Sequence, residues 1–525
     1  MMKQLLYPIA LLASAAIMPA AESFDVVVYG ATSGGVTAAV SAAREGAKVA
    51  LLEPGRHLGG MSSGGLGATD YGKQETIGGM SREFYERLGR HYGKEIAWTF
   101  EPHVAENVFK EMVKEAGVTV YYNHRLKQQG GVRKRGVPTR ITEIVMENGK
   151  TFRAKVFVDC TYEGDLMAFA GVAFTWGREG RDQYGEEFAG VRPVDRYHHH
   201  IFPPGVSAYD ENGKLLPEIS PEPRGELGAA DKKVQAYNFR ICLSKDKNNQ
   251  VPFTKPANYD PHRYALLLRF IEAFEKHNGR PARLKGDLLI WSLMPNNKTD
   301  INNRGGFSTD YIGKNWEYPT ANYKRRAEIW KDHLNYTAGF FYFLANDPRV
   351  PQAVRDDLNE WGLAKDEFAD TKHWPHQLYI REARRMIGDF VMTEKDARTD
   401  LVKEDSVAMG SYQIDSHNIQ RHVTPEGFVQ NEGDTEVPAK PYQIAYRVML
   451  PKKSEAANLL VPVCVSSSHI AYGTVRMEPV FMALGHAAGI AAHMAATKNT
   501  SIQEIDVPAL RAKLRAQRAV ISLTN

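Results

Sequence analysis

Apolar positions along this chain fall into short runs whose spacing changes from two to three or four residues and back. Residues 24–29, FDVVVY, are apolar and β-branched and end at Gly30, the pattern of a strand buried on both faces. Residues 34–45 carry small apolar side chains at Val36, Ala38, Ala39, Val40, Ala42 and Ala43, which predicts a helix packed closely on a sheet and stopped by Gly46. A second buried strand over 48–52 runs into Glu53, completing a β-α-β unit. A glycine-rich stretch over 55–79 follows, then helices over 79–91 and 103–117 and a strand over 118–123. Strands over 141–146 and 151–154 flank Asn148-Gly149, a hairpin signal, and 156–158 leads into Asp159. From about 180 to 370 Pro, His, Tyr and Trp become frequent, and two helices, 263–277 and 323–346, stand out. A buried strand over 458–463 and a small-residue helix over 475–496 close the pattern.

These elements predict an α/β chain: a Rossmann-type nucleotide domain over 22–180, an inserted α+β substrate or cap region over 181–370, and a part over 371–525 that completes the first domain. A length of 525 residues with 43% hydrophobic and 24% charged positions suits such a multidomain core. The 66 basic and 62 acidic residues leave a net charge of +4, too weak and too dispersed for nucleic acid. The first residues differ from the rest. Lys3, an apolar run over 5–18 broken by Pro8, and the small residues Ala20 and Ala21 form a signal-peptide pattern over 1–21. The run is short for a membrane span, so the mature chain is expected without an anchor, in the periplasm or secreted. Cys160, Cys242 and Cys464 cannot supply an iron–sulfur ligand set and are expected as buried free thiols. His198-His199-His200 has no evident partner ligands, so no metal is expected.

The turn after the first strand reads Gly30-Ala31-Thr32-Ser33-Gly34-Gly35. It departs from G-x-G-x-x-G at Thr32, yet it lies between a buried strand and a helix, where N–H groups and the helix dipole cradle a pyrophosphate. Glu53, at the end of the second strand, is placed to accept both ribose hydroxyls. The run Arg56-His57-Leu58-Gly59-Gly60-Met61-Ser62-Ser63-Gly64-Gly65 reads as backbone lying flat against a large cofactor.

With these features the chain resembles the FAD-dependent oxidoreductase family related to the flavin domain of heterodisulfide reductase, some of whose exported members are labelled xanthan-lyase-like. Four further segments carry the resemblance. Asp159-Cys160-Thr161-Tyr162-Glu163-Gly164-Asp165 is similar to the family's second FAD motif, which implies cofactor contacts at Asp159, Thr161, Gly164 and Asp165. Residues 295–303 resemble its P-N-x-K-T-D-x-N loop, and 376–385 its R-E-x-R-R helix. Residues 468–479 resemble its C-terminal flavin segment, implying contacts at Gly473 and Val475 and a helix start near Gly473 aimed at the flavin. Pro462 departs from the glycine usual before that segment.

The resemblance implies FAD and hydride exchange between flavin N5 and a polar small organic substrate. His469 is a candidate general base, Tyr472 its neighbour, and Arg476 either anchors a carboxylate or pairs with Glu478. Arg384 and Arg385 are candidates for holding a substrate anion or for a salt-bridged helix face. His57 is a candidate for covalent flavin attachment or a phosphate neighbour. Asn296, Lys298, Asp300 and Asn302 suit a carbohydrate-like ligand or a buried polar turn between domains. A reductase fed by a redox partner and a flavin-binding protein without turnover are the rival readings.

Overall fold

Strand β1, Glu22–Tyr29, is buried from Val26 onward and forms the centre of the main sheet. The computed structural model describes residues 21–194, 198 and 200–523. All of the expected signal segment except Ala21 therefore lies outside the described residues, as does His199. Helix α1, Ser33–Arg44, follows, then β2, Val49–Leu52, helices α2, Gly79–His91, and α3, Pro102–Glu115, and strand β3, Thr119–Tyr121. Strands β4, Val132–Arg135, and β5, Arg140–Val145, precede β6, Thr151–Asp159, which unites the two short strands expected over 151–158.

The strand order is β3-β2-β1-β6-β5-β4. The segment from β3 to β6 is parallel, and β5 turns back antiparallel through the Asn148-Gly149 hairpin. The outer edge of β6 is shared. Its first half pairs with β5, at Arg153 with Glu143, and its second half takes the strand Leu459–Leu460 in parallel, at Phe157 and Val158. A segment from far along the chain thus completes the sheet beside Asp159. The architecture is α/β with a Rossmann-type sheet, as expected.

Helix Glu478–Lys498 lies across α1 and is buried along most of its length. Small residues let the two backbones touch: a Cβ on Gly34 would stand 2.9 Å from the Phe481 carbonyl oxygen. Thr37 and Ser41 then donate hydroxyl hydrogen bonds to the carbonyls of Met482 and His486, at 2.9 and 3.0 Å. The helix is long and apolar enough to cross a membrane, but 83% of its apolar window is buried inside this fold.

A second, five-stranded antiparallel sheet is built from Leu289–Met294, Lys298–Asn303, Ile241–Ser244, Gly362–Ala364 and Gln250–Val251, all within 181–370. Helix Tyr323–Asn346 spans the expected residues.

Three local expectations are corrected. Residues 298–303 form a sheet strand, not a loop. Residues 376–384 form no helix and Arg385–Met386 is a short strand, so there is no charge-dense helix there. The helix expected over 475–496 begins three residues later, as Glu478–Lys498 with Pro479 in its first turn, and a separate short helix, His469–Val475, precedes it. All three cysteines are buried and free, as expected.

Candidate active site

The turn after β1 is closed from below. Gly30 sits at φ +92°, and a Cβ there would stand 2.8 Å from the Thr161 backbone nitrogen beyond β6. Only glycine fits this conformation beside that strand. Thr32 caps α1 by accepting from the Gly35 N–H at 3.2 Å, while its own hydroxyl donates to the Cys160 carbonyl at 2.8 Å. The first-turn N–H groups of a helix lack intrahelical partners, and Thr32 takes only one of them. The glycine-rich loop is pinned onto the same turn, with the Gly59 N–H donating to the Ala31 carbonyl at 2.7 Å.

Glu53 lies at the mouth of this cradle. Its carboxylate accepts from the N–H groups of Ala31 and Gly55, at 2.8 and 2.6 Å. Burial pushes its carboxyl up to about 7 against those two bonds. It borders a cavity of about 290 Å³ shared with Thr32, Gly60, His376 and Gln377. Neither ring nitrogen of His376 has a hydrogen-bond partner among the described residues, and burial lowers that imidazole to about 3. His57 stacks on it with ring centres 3.9 Å apart. Burial works against charge on His57, but Glu106 and Asp370 prevail and hold it above its ordinary value. Arg56 is more exposed and pairs with Asp370 at 2.9 Å.

The chain belongs to the FAD-dependent oxidoreductase family. The match to the family described as FAD dependent oxidoreductase runs over residues 25–514. FAD is therefore its cofactor. Partial likeness to solved structures accompanies this. THI4 of Thermovibrio ammonificans is 19% identical over 30% of this chain and 66% of its own, with a TM-score of 0.23. Thioredoxin reductase of T. acidophilum is 19% identical over 26% and 35%, with a TM-score of 0.18. NikD, an unusual amino acid oxidase essential for nikkomycin biosynthesis, is 14% identical over 30% and 56%, with a TM-score of 0.22. Less than two thirds of each of these three is matched. No curated protein matches the chain.

The residues present fit FAD. The Gly30 turn and the open first turn of α1 suit a pyrophosphate, Glu53 suits a ribose, and the cavity between them already carries the unpartnered nitrogens of His376. Glu478 holds the cradle's walls together. Its carboxylate accepts from the hydroxyls of Ser33 on α1, Ser62 in the glycine-rich loop at 3.1 Å, and Tyr162 beyond β6 at 2.7 Å. Tyr162 in turn accepts from the Met61 N–H at 2.8 Å, and Gly60, at φ +55°, leaves room for the tyrosine hydroxyl.

At the end of β6 Asp159 accepts from the N–H groups of Thr161 and Met167, at 3.0 and 2.8 Å, and from the Thr161 hydroxyl. Burial still raises its carboxyl to about 6. Gly164, at φ +66°, turns the chain so that its N–H meets the Thr161 hydroxyl. Asp165 is claimed by two buried guanidinium groups, Arg326 at 2.8 Å and Arg384 at 2.7 Å. Burial alone would raise this carboxyl; the two cations hold it below its ordinary value.

The C-terminal segment is arranged differently from the expectation. The first N–H of helix His469–Val475 is met by Glu179 at 2.8 Å, and Ser468 caps the Ala471 N–H. This N-terminus, not one near Gly473, begins the helix, and protein groups already fill it. His469 is buried between Glu382, 2.7 Å from Nδ1, and Ser416, 3.2 Å from Nε2. Burial lowers it to about 3, so it stays neutral. Tyr472 donates to the Val463 carbonyl at 3.2 Å, and Val475 is wholly buried. Gly473 lets the strand at Asp415 approach, since a Cβ would lie 3.0 Å from the Asp415 carbonyl oxygen. Arg476 pairs with Asp415 at 2.8 Å and donates to the Tyr379 hydroxyl at 3.0 Å; Glu478 is not its partner.

Across from this segment lies a dyad that sequence reasoning missed. His417 Nδ1 stands 2.7 Å from Asp310 Oδ2, and its Nε2 is 3.7 Å from Asp415, beyond hydrogen-bond reach. The ring keeps 12% of its surface exposed, unlike His469 at 3%. The polar run Asp415-Ser416-His417-Asn418 was the available signal. The polar groups of residues 298–303 face inward instead. Lys298 is surrounded by Glu101, Asp366 and Glu367, each at 2.7 Å, and Asp300 pairs with Arg240 while accepting the Ala68 N–H. Among the described residues the one metal-like grouping is Glu101, His103, Asp366 and Glu367, and the Lys298 ammonium bonds to its three carboxylates.

Proposed function

We propose that this enzyme oxidises a hydroxyl-bearing polar small molecule, with His417 as proton acceptor and Asp310 as the group that orients it. The observation that carries this is the His417–Asp310 contact at 2.7 Å, on a half-buried ring beside the C-terminal segment. Bound FAD supplies the two-electron redox chemistry. The hydroxyl proton passes to His417 Nε2, the nitrogen left without a hydrogen bond, while Asp310 fixes the tautomer and supports the charge that forms. Arg381, 3.1 Å from Asp310, keeps that carboxylate ionised, with help from His417, against a burial that would raise it. His469 serves from behind: bound to Glu382 and Ser416, it fixes the strand Ile414–Ser416, which leads into His417. Unpartnered acceptors at Asn238 Oδ1 and Asn418 Oδ1, with Asp310 Oδ1, suit a ligand with several hydroxyl groups and support a carbohydrate-derived substrate. The signal pattern over 1–21 supports action in the periplasm or outside the cell.

Anaerobic absorption spectroscopy tests the reading. The purified protein, or apoprotein reconstituted with FAD, is expected to show a flavin spectrum that substrate bleaches. His417→Ala is expected to keep its FAD and to slow bleaching about 10²–10⁴-fold. A protein that takes up no FAD, or a His417→Ala variant that bleaches at the wild-type rate, overturns the assignment.

A further inference from the structure

We infer that the substrate carries a carboxylate, received by Arg381 and Arg476 beside the Tyr379 ring, with Arg240 in the same field. This rests on the reading above that the space beside His417 is the substrate site. Each guanidinium is buried, with side-chain exposures of 4%, 0% and 1%. Each also keeps a nitrogen without a hydrogen-bond partner among the described residues: Arg240 Nη1, Arg381 Nε and Arg476 Nε. Arg381 Nη2 adds a fourth. It lies 3.1 Å from Asp310 Oδ1 but outside hydrogen-bonding geometry.

These donors belong to one neighbourhood. The Arg381 and Arg476 guanidinium carbons stand 4.5 and 5.9 Å from the centre of the Tyr379 ring. Burial pushes the Tyr379 phenol up, against the opposing pull of Arg476, Arg381 and Arg240. A buried guanidinium N–H left unpaired is costly, so a cluster of them calls for an acceptor that brings no donors of its own. A carboxylate is such a group, and its two coplanar oxygens match the guanidinium fork.

The charges discriminate further. Each arginine already has an aspartate: Asp300 for Arg240, Asp310 for Arg381 and Asp415 for Arg476. The set is balanced, so it offers no excess positive charge for a dianion such as a phosphate ester. Asp70 lies in the same field, and burial raises its carboxyl. With the carboxylate among the arginines, a neighbouring hydroxyl faces His417. The substrate class is a hydroxy acid, including sugar acids, and the product is the corresponding oxo acid. The carbinol carbon loses its hydrogen with two electrons to FAD, and the hydroxyl loses its proton to His417.

The test is a titration of the oxidised holoenzyme, read by flavin difference absorption and by calorimetry. The probes are acetate, glycolate and D-glucuronate, against the uncharged partners acetamide and D-glucose. The expected result is saturable binding of the three carboxylates, each displacing the others, with acetamide and D-glucose at least 10-fold weaker. Arg381→Lys and Arg476→Lys are each expected to weaken glycolate at least 10-fold with FAD content unchanged. The comparison of glucuronate with glucose needs no variant, so a misfolded substitution leaves the test intact. Equal binding of the charged and uncharged partners, or no binding of any carboxylate to FAD-loaded protein, overturns the inference while the FAD assignment stands. Failure to bind FAD at all is the separate failure of the reading it rests on.

Discussion

Removing the Glu478 carboxylate should loosen the cofactor cradle and the fold together. Three hydroxyls converge on it, from Ser33, Ser62 and Tyr162, and these belong to α1, the glycine-rich loop and the segment beyond β6. All four residues are buried, so no water replaces the lost acceptor without rearrangement. A buried donor left unsatisfied costs about 1–3 kcal/mol. With the cavity included, Glu478→Ala is expected to cost about 3–6 kcal/mol. Glu478→Gln keeps the shape and one acceptor oxygen. It is expected to cost about 1–2 kcal/mol, the loss of one hydrogen bond to a charged group. Urea denaturation of the apoprotein measures both. Fluorescence titration should show weaker FAD binding in the order wild type, Gln, Ala, since a looser cradle must be ordered when FAD binds. The pH dependence adds a sign. Burial raises the Glu478 carboxyl, so the folded chain holds that proton more tightly than the unfolded one. Stability from this group is full below the unfolded value and declines as pH rises through the folded one. Glu478→Gln should lack that decline. An Ala variant within about 1 kcal/mol of wild type, with unchanged FAD affinity, would refute the reasoning.

Three other substitutions probe separate contacts. Asp165→Asn leaves Arg326 and Arg384 buried without their counter-charge, and should cost about 3–5 kcal/mol by denaturation, more than Asn at an exposed aspartate. Gly30→Ala must adopt φ +92° beside the Thr161 nitrogen, and should lower stability by at least about 2 kcal/mol and abolish FAD retention on gel filtration. Burial raises the Glu53 carboxyl to about 7, so the apoprotein should lose stability as pH rises from the ordinary glutamate range towards 7, and Glu53→Gln should flatten that slope in thermal melts taken across the window.

The N-terminal β-α-β unit was readable because its signals are local. A buried run, a tight glycine turn, a small-residue helix and a terminal glutamate each constrain their own neighbourhood, and Gly30, Thr32 and Glu53 lie where that pattern puts them. The partners of Glu478 were not readable, because Ser33 is 445 positions away and nothing local at either end signals the other. His417 escaped for the same reason. Its significance comes from Asp310, 107 positions earlier, and from an exposure that only packing decides.

Residues 376–385 show the converse error, where a local signal misleads. Alternating charges in Arg381-Glu382-Ala383-Arg384-Arg385 read as a solvated helix face, since i and i+4 pairing satisfies such charges cheaply in a helix. In the fold the segment is buried and not helical, and buried charges without helical i to i+4 neighbours must find their counter-charges elsewhere. Arg381 turns to Asp310, Glu382 to His469, Arg384 to Asp165, and Arg385 to Glu179 and Glu382. These contacts join the end of β6, the C-terminal segment and Asp310, the partner of His417, around one stretch of chain. The density of charge that looked like surface is what fixes Asp165, Glu179, Asp310 and His469 relative to one another. It follows that substitutions at Glu382, Arg384 and Arg385 should disturb turnover and folding together, whereas the nitrogens of Arg381 and Arg476 without hydrogen-bond partners among the described residues are the part of this network that the proposed ligand would use.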